Sequence, residues 1–175
     1  VIYMFSTTAF LSMWMSNTAT AAMMLPLAIG MLSQISFKEH PNTYIFVLLG
    51  IAFSASIGGI GTLVGTPPNA IVAANLHIDF AEWLKYGIPI VVIFMPLMIA
   101  VLYVVFKPNL KHTIHIDIKD KIAMSREKWL TLGIFAFIAV CWIFSAKINP
   151  LFSSLLGLEK QMGAFDSVIA IFAAV

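Results

Sequence analysis

Charge is what this chain has least of. Only 10% of its 175 residues are Asp, Glu, Lys or Arg, against roughly a quarter in soluble domains. None falls between Val1 and Phe37 or between Thr43 and Leu76. A single cysteine, Cys141, excludes an intrachain disulfide framework. Lysine is missing between Lys38 and Lys85, so the glycine-rich stretch in that interval is no phosphate loop, which needs Gly-Lys-Ser/Thr. It is no dinucleotide fingerprint either, because the glycine due after Gly59 and Gly61 is replaced by Val64. No Ser-His-Asp set, Cys-His set or carboxylate pair lies in the apolar runs, and no enzyme is expected. A formal net charge of +2 gives no broad basic surface for nucleic acid.

Apolar residues are plentiful instead. They make up 61% of the chain and the mean hydropathy is +0.97, which predicts an all-α, multi-pass integral membrane protein of the cell (inner or plasma) membrane, with lipid around it. Residues 1–175 begin without Met and end within an apolar run, so a fragment of a longer membrane protein is expected.

Two of the apolar runs are interrupted. Residues 1–37 carry Ser12, Ser16, Asn17, Thr18 and Thr20 in their middle. A spanning helix takes about 20 residues, so this run is long for one helix and marginal for two plus a turn. A re-entrant hairpin with its turn at Ser16-Asn17-Thr18 fits. A spanning helix whose Ser and Thr bond back to the preceding turn is the alternative.

Residues 43–77 hold the second interruption, Ser56-Ile-Gly-Gly-Ile-Gly-Thr-Leu-Val-Gly-Thr-Pro-Pro-Asn69. Pro67 and Pro68 prevent a continuous helix, and the glycines allow close backbone approach and positive φ. A broken helix is predicted, with unwound carbonyls suited to a cation and a half-helix N-terminus suited to an anion. Tight helix packing would account for the glycines but not for the Thr-Pro-Pro-Asn after them.

The remaining segments alternate. Residues 38–42 are a polar link, 79–85 a short amphipathic link with Trp83, and 86–106 a spanning helix with a kink at Pro96. Residues 107–128 are polar, 129–146 span again, 147–166 form a loop, and 167–175 open another helix. The links at 38–42 and 107–128 share one side and carry seven Lys/Arg, against three in 76–85 and 147–166. The first side is therefore assigned to the cytoplasm. His112, His115 and Asp117 have a metal-like spacing but sit in a basic, solvated loop with no further ligand. The early methionines (Met4, Met13, Met15, Met23, Met24, Met31) read as adaptable packing rather than a copper site, and Cys141 as a small apolar filler.

The two interruptions together offer hydroxyls, amides, carbonyls and helix ends without formal charge. In a helical arm Ser12 and Ser16 share a face. Asn17 has a carbonyl oxygen for a cation and an NH2 for an anion, and Thr18 and Thr66 add hydroxyl donors. An anion held by neutral donors leans on a bound cation for compensation, which links their occupancies. Polar side chains bonding helices together, or an ion-channel filter, are the competing readings.

The stretch Ala9-Phe-Leu-Ser-Met-Trp-Met-Ser-Asn-Thr-Ala-Thr-Ala-Ala-Met-Met-Leu-Pro26, followed by Ser56 to Asn69 as quoted, resembles the divalent anion:sodium symporters, the dicarboxylate, citrate and sulfate carriers. The resemblance covers the whole chain. It implies a secondary transporter with an inverted repeat, of which Ser16-Asn17-Thr18 is the first hairpin tip. It implies a first sodium site of Ser12, Ser16, Asn17 and the Gly65 carbonyl. Asn17 and Thr18 would touch a substrate carboxylate, with Thr66 and Pro67 completing the expected substrate contacts. It further implies a homodimer and an elevator-like movement, with 1–106 in the transport domain, 107–128 a cytoplasmic linker holding an amphipathic helix, and 129–175 scaffold helices. Proton coupling or anion exchange in place of sodium stays open. The second Ser-Asn-Thr motif expected of the other repeat is absent from these residues.

The charge count makes a topological prediction. In a Cys141→Ala background of the full-length protein, His40→Cys should react with a membrane-impermeant maleimide only from the cytoplasmic face, and Glu82→Cys only from the opposite one. The reverse labelling would invert the assignment.

Overall fold

The computed structural model describes residues 1–110, 125–144 and 147–150. Among these the regular structure is entirely helical: α1 (Ile2–Ser12), α2 (Asn17–Leu32), α3 (Pro41–Gly59), α4 (Pro67–Leu76), α5 (Phe80–Phe106) and α6 (Arg126–Ile143). The chain divides into two compact units, 1–76 with 83–117, and 77–82 with 118–175.

Local chemistry sets the helix starts in the first unit. Ser16, extended at φ −60° and ψ 144°, caps α2 by accepting the Ala19 amide at 3.2 Å. Pro41 opens α3, where its missing amide hydrogen costs nothing. The turn expected at 16–18 thus lies slightly earlier, at Met13–Ser16, and Asn17 and Thr18 already belong to α2. A Ser cap followed by a helix-compatible run pulls them in.

α1 and α2 form a hairpin on α3. The Phe5 ring fills the space at Gly50, the Ala9 backbone presses on Gly58, and Met13 lies on Gly61, so α1 runs parallel to α3. α2 runs the other way: Asn17 meets Gly59, and the Tyr44 hydroxyl reaches the carbonyls of Leu32 (2.7 Å) and Ile35 (3.0 Å). Phe5, Met24, Ala28, Leu32, Phe46, Val47 and Ile51 are buried between them. α5 lies antiparallel along α3. Its C-terminal end turns at Lys107 (φ 44°) and brings the Asn109 amide to Thr43 Oγ1 at 3.1 Å. Tyr103 packs edge-on to Phe46, with ring centroids 6.5 Å apart, and the Trp83 indole donates to the Ile60 carbonyl at 3.0 Å. The start of α3 and the end of α5 therefore share one end of this unit.

Two expectations change in detail. The segment 79–85 is no separate link beyond Asp79: α5 begins at Phe80 and runs 27 residues, through Pro89 and Pro96. Its first turn is capped by Asp79, whose carboxylate accepts the Glu82 amide at 2.7 Å. Neither interruption takes its bend from left-handed glycine, since none of Gly58, Gly59, Gly61 or Gly65 has a positive φ of that kind; these glycines serve close approach.

In the second unit α6 starts at Arg126, three residues before the expected 129, and Phe80 stacks on Trp142 with centroids 5.4 Å apart. The expected surface helix, the His112–His115–Asp117 trio, and the helix from Ser167 lie outside the described residues, as does most of the loop 147–166.

α3 and α5 are long and apolar enough to cross a membrane. α5 exposes Val92, Ile93, Leu97, Val101 and Val104, the pattern of a helix solvated by lipid on its outer side.

The Gly58 contact generates a stability prediction. A side chain there would run into the Ala9 backbone, which has no rotamer to yield. Gly58→Leu should cost about 1–3 kcal/mol or more and lower the melting temperature of the detergent-solubilised full-length protein. Gly30→Ala, where nothing lies within 4 Å of the added methyl, should be neutral or stabilise the protein by up to about 1 kcal/mol. Equal effects of the two would contradict this packing.

Candidate functional site

The hairpin turn and the α3–α4 break meet. Ser12, the last residue of α1, is fully buried, and its hydroxyl lies 2.7 Å from Asn17 Oδ1 and 2.7 Å from the Ala55 carbonyl oxygen. A hydroxyl carries one proton and so donates to one of these acceptors at a time. Two acceptor oxygens therefore share the Ser12 proton, which leaves lone-pair capacity that a cation could use.

Asn17 continues the cluster toward the break. Gly59 packs against it so closely that a side chain at 59 would overlap Asn17 Oδ1 and come within 2.9 Å of the Thr66 methyl. Gly65 in turn stacks on the Gly59 backbone, with room for no Cβ. Ser12, Asn17, Gly59, Gly65 and Thr66 thus form one contiguous set, drawn from α1, α2, the end of α3 and the unwound segment.

The other sequence candidates are placed less centrally. The Ser16 hydroxyl is exposed and accepts the Ala19 amide, keeping one lone pair free for another partner. Thr18 is exposed in the first turn of α2, Thr66 is half-buried, and Pro67 is the exposed first residue of α4. α2 and α4 both point their N-termini at the Asn17–Gly59–Thr66 region, and neither has an acidic residue in its first turn. The partial positive charge at the α2 end is left available to an anion, whereas α4 opens on Pro67 and Pro68, which have no amide hydrogen, and its Asn69 amide bonds the Thr66 carbonyl at 3.1 Å.

Sequence reasoning passed over several supports. The Asn69 side-chain amide donates to the carbonyls of Gly59 and Thr62, each at 2.8 Å, from a buried position. The Thr62 hydroxyl donates to the Met13 carbonyl and accepts the Gly65 amide at 3.1 Å. Gly87 lets α5 close on the loop: a Cβ there would stand 2.6 Å from the Gly61 oxygen. Thr62 and Asn69 had a readable signal, being polar residues within an apolar run. The Ala55 carbonyl had none, because every residue has one. Among the described residues no group of three or more His, Cys, Asp or Glu converges, and the polar groups of this cluster are neutral oxygens and amides.

Comparison with known proteins bears on this arrangement. A family model described as citrate transporter matches residues 1–173. An uncharacterized transporter of Haemophilus influenzae is 61% identical over 178 residues, covering 100% of this chain and 38% of the relative. An uncharacterized transporter of Methanocaldococcus jannaschii, MJ0672, is 40% identical over 98% of this chain and 37% of the relative. The sodium-dependent dicarboxylate transporter SdcS of Staphylococcus aureus is 30% identical over 96% of this chain and 35% of its own length. The chain thus spans somewhat over a third of these relatives. With a family match over almost every residue, two helices fit to span and two breaks packed together, the chain belongs to the citrate transporter family, of the divalent anion:sodium symporter type, and is an integral membrane protein.

Proposed function

We propose that the full-length protein is a secondary active transporter carrying a di- or tricarboxylate together with sodium. The observation that carries this reading is the oxygen cluster of Ser12, Asn17 and Ala55 beside two helix N-termini that lack acidic residues. The cation sits among Ser12, Asn17 and carbonyls of the unwound segment, with Gly65 and the free lone pair of Ser16 as further ligands. The anion's carboxylate takes its donors from Asn17, Thr18 and Thr66 at the positive ends of α2 and α4, against Pro67. Asn17 serves both ions, so each raises the affinity for the other by the same factor.

Sodium is favoured over a proton by the sequence around the site. No Asp, Glu, His, Lys or Arg occurs in residues 1–37 or 43–76, so this half of the site has no such side chain to carry a proton. A carboxylate is favoured over sulfate because the matching family model is described as citrate transporter and SdcS as a dicarboxylate transporter. The hairpin is proposed to be re-entrant and to belong to one of two inverted repeats. Residues 1–106 would move as part of a transport domain in an elevator-like step, against a dimeric scaffold that includes 129–175.

Uptake of labelled succinate and citrate into proteoliposomes tests the reading. An inward sodium gradient should drive uptake by the full-length protein, and Asn17→Ala should abolish it. Ser12→Ala should raise the half-saturating sodium concentration by about 10- to 100-fold, corresponding to loss of a polar contact to a charged species. Flux that follows voltage without saturable, sodium-dependent exchange would instead identify a channel, and unchanged uptake by Asn17→Ala would remove the site.

A further inference from the structure

Two helix interruptions that only lie near one another would drift, and a cation shared between them would see a variable cage. Something has to fix their spacing. The contacts between the hairpin turn and the loop 60–66 include one side-chain hydrogen bond that crosses directly from one to the other, and it belongs to Thr62. Its hydroxyl donates to the carbonyl of Met13, the first residue of the hairpin turn, and accepts the Gly65 amide at 3.1 Å. The side chain is 1% exposed, so water does not compete for either bond. Both capacities of the hydroxyl are engaged: its proton goes to one interruption, and a lone pair accepts a hydrogen bond from the other. The Thr62 carbonyl is also held, by Asn69 Nδ2 at 2.8 Å, so the residue is fixed at both its backbone and its side chain.

We propose that Thr62 is the positioning residue that sets the distance between the hairpin turn and the unwound loop, and thereby the affinity for the cation. It touches neither ion. It acts by ordering Met13, adjacent to Ser12, and Gly65, whose carbonyl faces the same cluster in the proposed reading. Groups that orient ligands from behind typically account for about 10- to 100-fold in metal affinity. This inference rests on the sodium-coupled reading for its transport consequence, but its geometric part stands without it.

Two measurements on the full-length protein separate the cases. In proteoliposomes, Thr62→Val keeps the shape and removes both hydrogen bonds. It should raise half-saturating sodium by about tenfold or more, while the maximal rate at saturating sodium stays within about twofold. Thr62→Ser retains the hydroxyl and should restore the wild-type sodium dependence. A merely structural role would lower the maximal rate at every sodium concentration. Separately, spin labels at Met15→Cys and Val64→Cys in a Cys141→Ala background report the spacing itself. The distance distribution should be narrow in the parent and in Thr62→Ser, and broad in Thr62→Val. Should Thr62→Val fail to reach the membrane, Thr62→Ala carries the same expectations. If the parent protein shows no sodium dependence, the sodium-coupled reading fails while the distance measurement still decides on Thr62. An unchanged distance distribution in Thr62→Val, or an unchanged sodium curve in a sodium-dependent parent, would overturn the assignment.

Discussion

A helix interrupted inside an apolar environment leaves amide and carbonyl groups that have to find partners other than water, at a cost of several kcal/mol for each that fails. This chain interrupts its helical path twice within uncharged sequence, and the two interruptions answer each other. The Met13 carbonyl, left over where α1 ends, takes the Thr62 hydroxyl. The Gly59 carbonyl, left over where α3 ends, takes the Asn69 amide. The Ile60 carbonyl takes the Trp83 indole. At Ser12, Asn17 and Ala55 one hydroxyl proton is shared between two acceptor oxygens, and it is there that a positive ion is proposed to sit.

Packing makes this mutual satisfaction achievable. The hairpin lies on α3 through contacts that tolerate no side chain at Gly58 or Gly59, so the backbones come close enough for short side chains such as Ser12, Asn17 and Thr62 to reach across. Larger residues at those glycines would push the interruptions apart and strand the groups that now pair. The same closeness leaves the N-termini of α2 and α4 beside one another, with no acidic side chain in either first turn. In the proposed function, cation and anion are recruited by different parts of one set of loose ends. Asn17, between them, is suited to make the binding of one depend on the other.

Much of this was legible in the residues. Pro67 and Pro68 announced the α3–α4 break because no helix runs through two missing amides, and the uncharged flanks with Ser12 to Thr20 in their midst announced the hairpin turn. The start of α2 was less legible: a Ser-Asn-Thr triplet can be turn or cap, and the capping bond of Ser16 decides for helix from Asn17 onward. The charged stretch from Asp79 to Lys85 read as a link, yet Asp79 makes it the first turns of α5. The glycines were expected to allow close approach and positive φ, and of the two only the close approach is found, a distinction invisible without the neighbours. The Ala55 carbonyl was beyond reach of any sequence argument, since backbone acceptors carry no label.

The central claim, that uncharged oxygens at two meeting helix ends bind sodium, is tested most directly by thermal unfolding of the purified full-length protein in sodium against potassium at equal ionic strength. A ligand bound only by the folded state raises stability with its concentration, by about 2.7 kcal/mol at a hundred times its dissociation constant. The account predicts that sodium raises the melting temperature of the parent in a saturable way, that potassium does not, and that Ser12→Ala removes most of the difference. A melting temperature indifferent to sodium, or an equal sodium shift in Ser12→Ala, would contradict it.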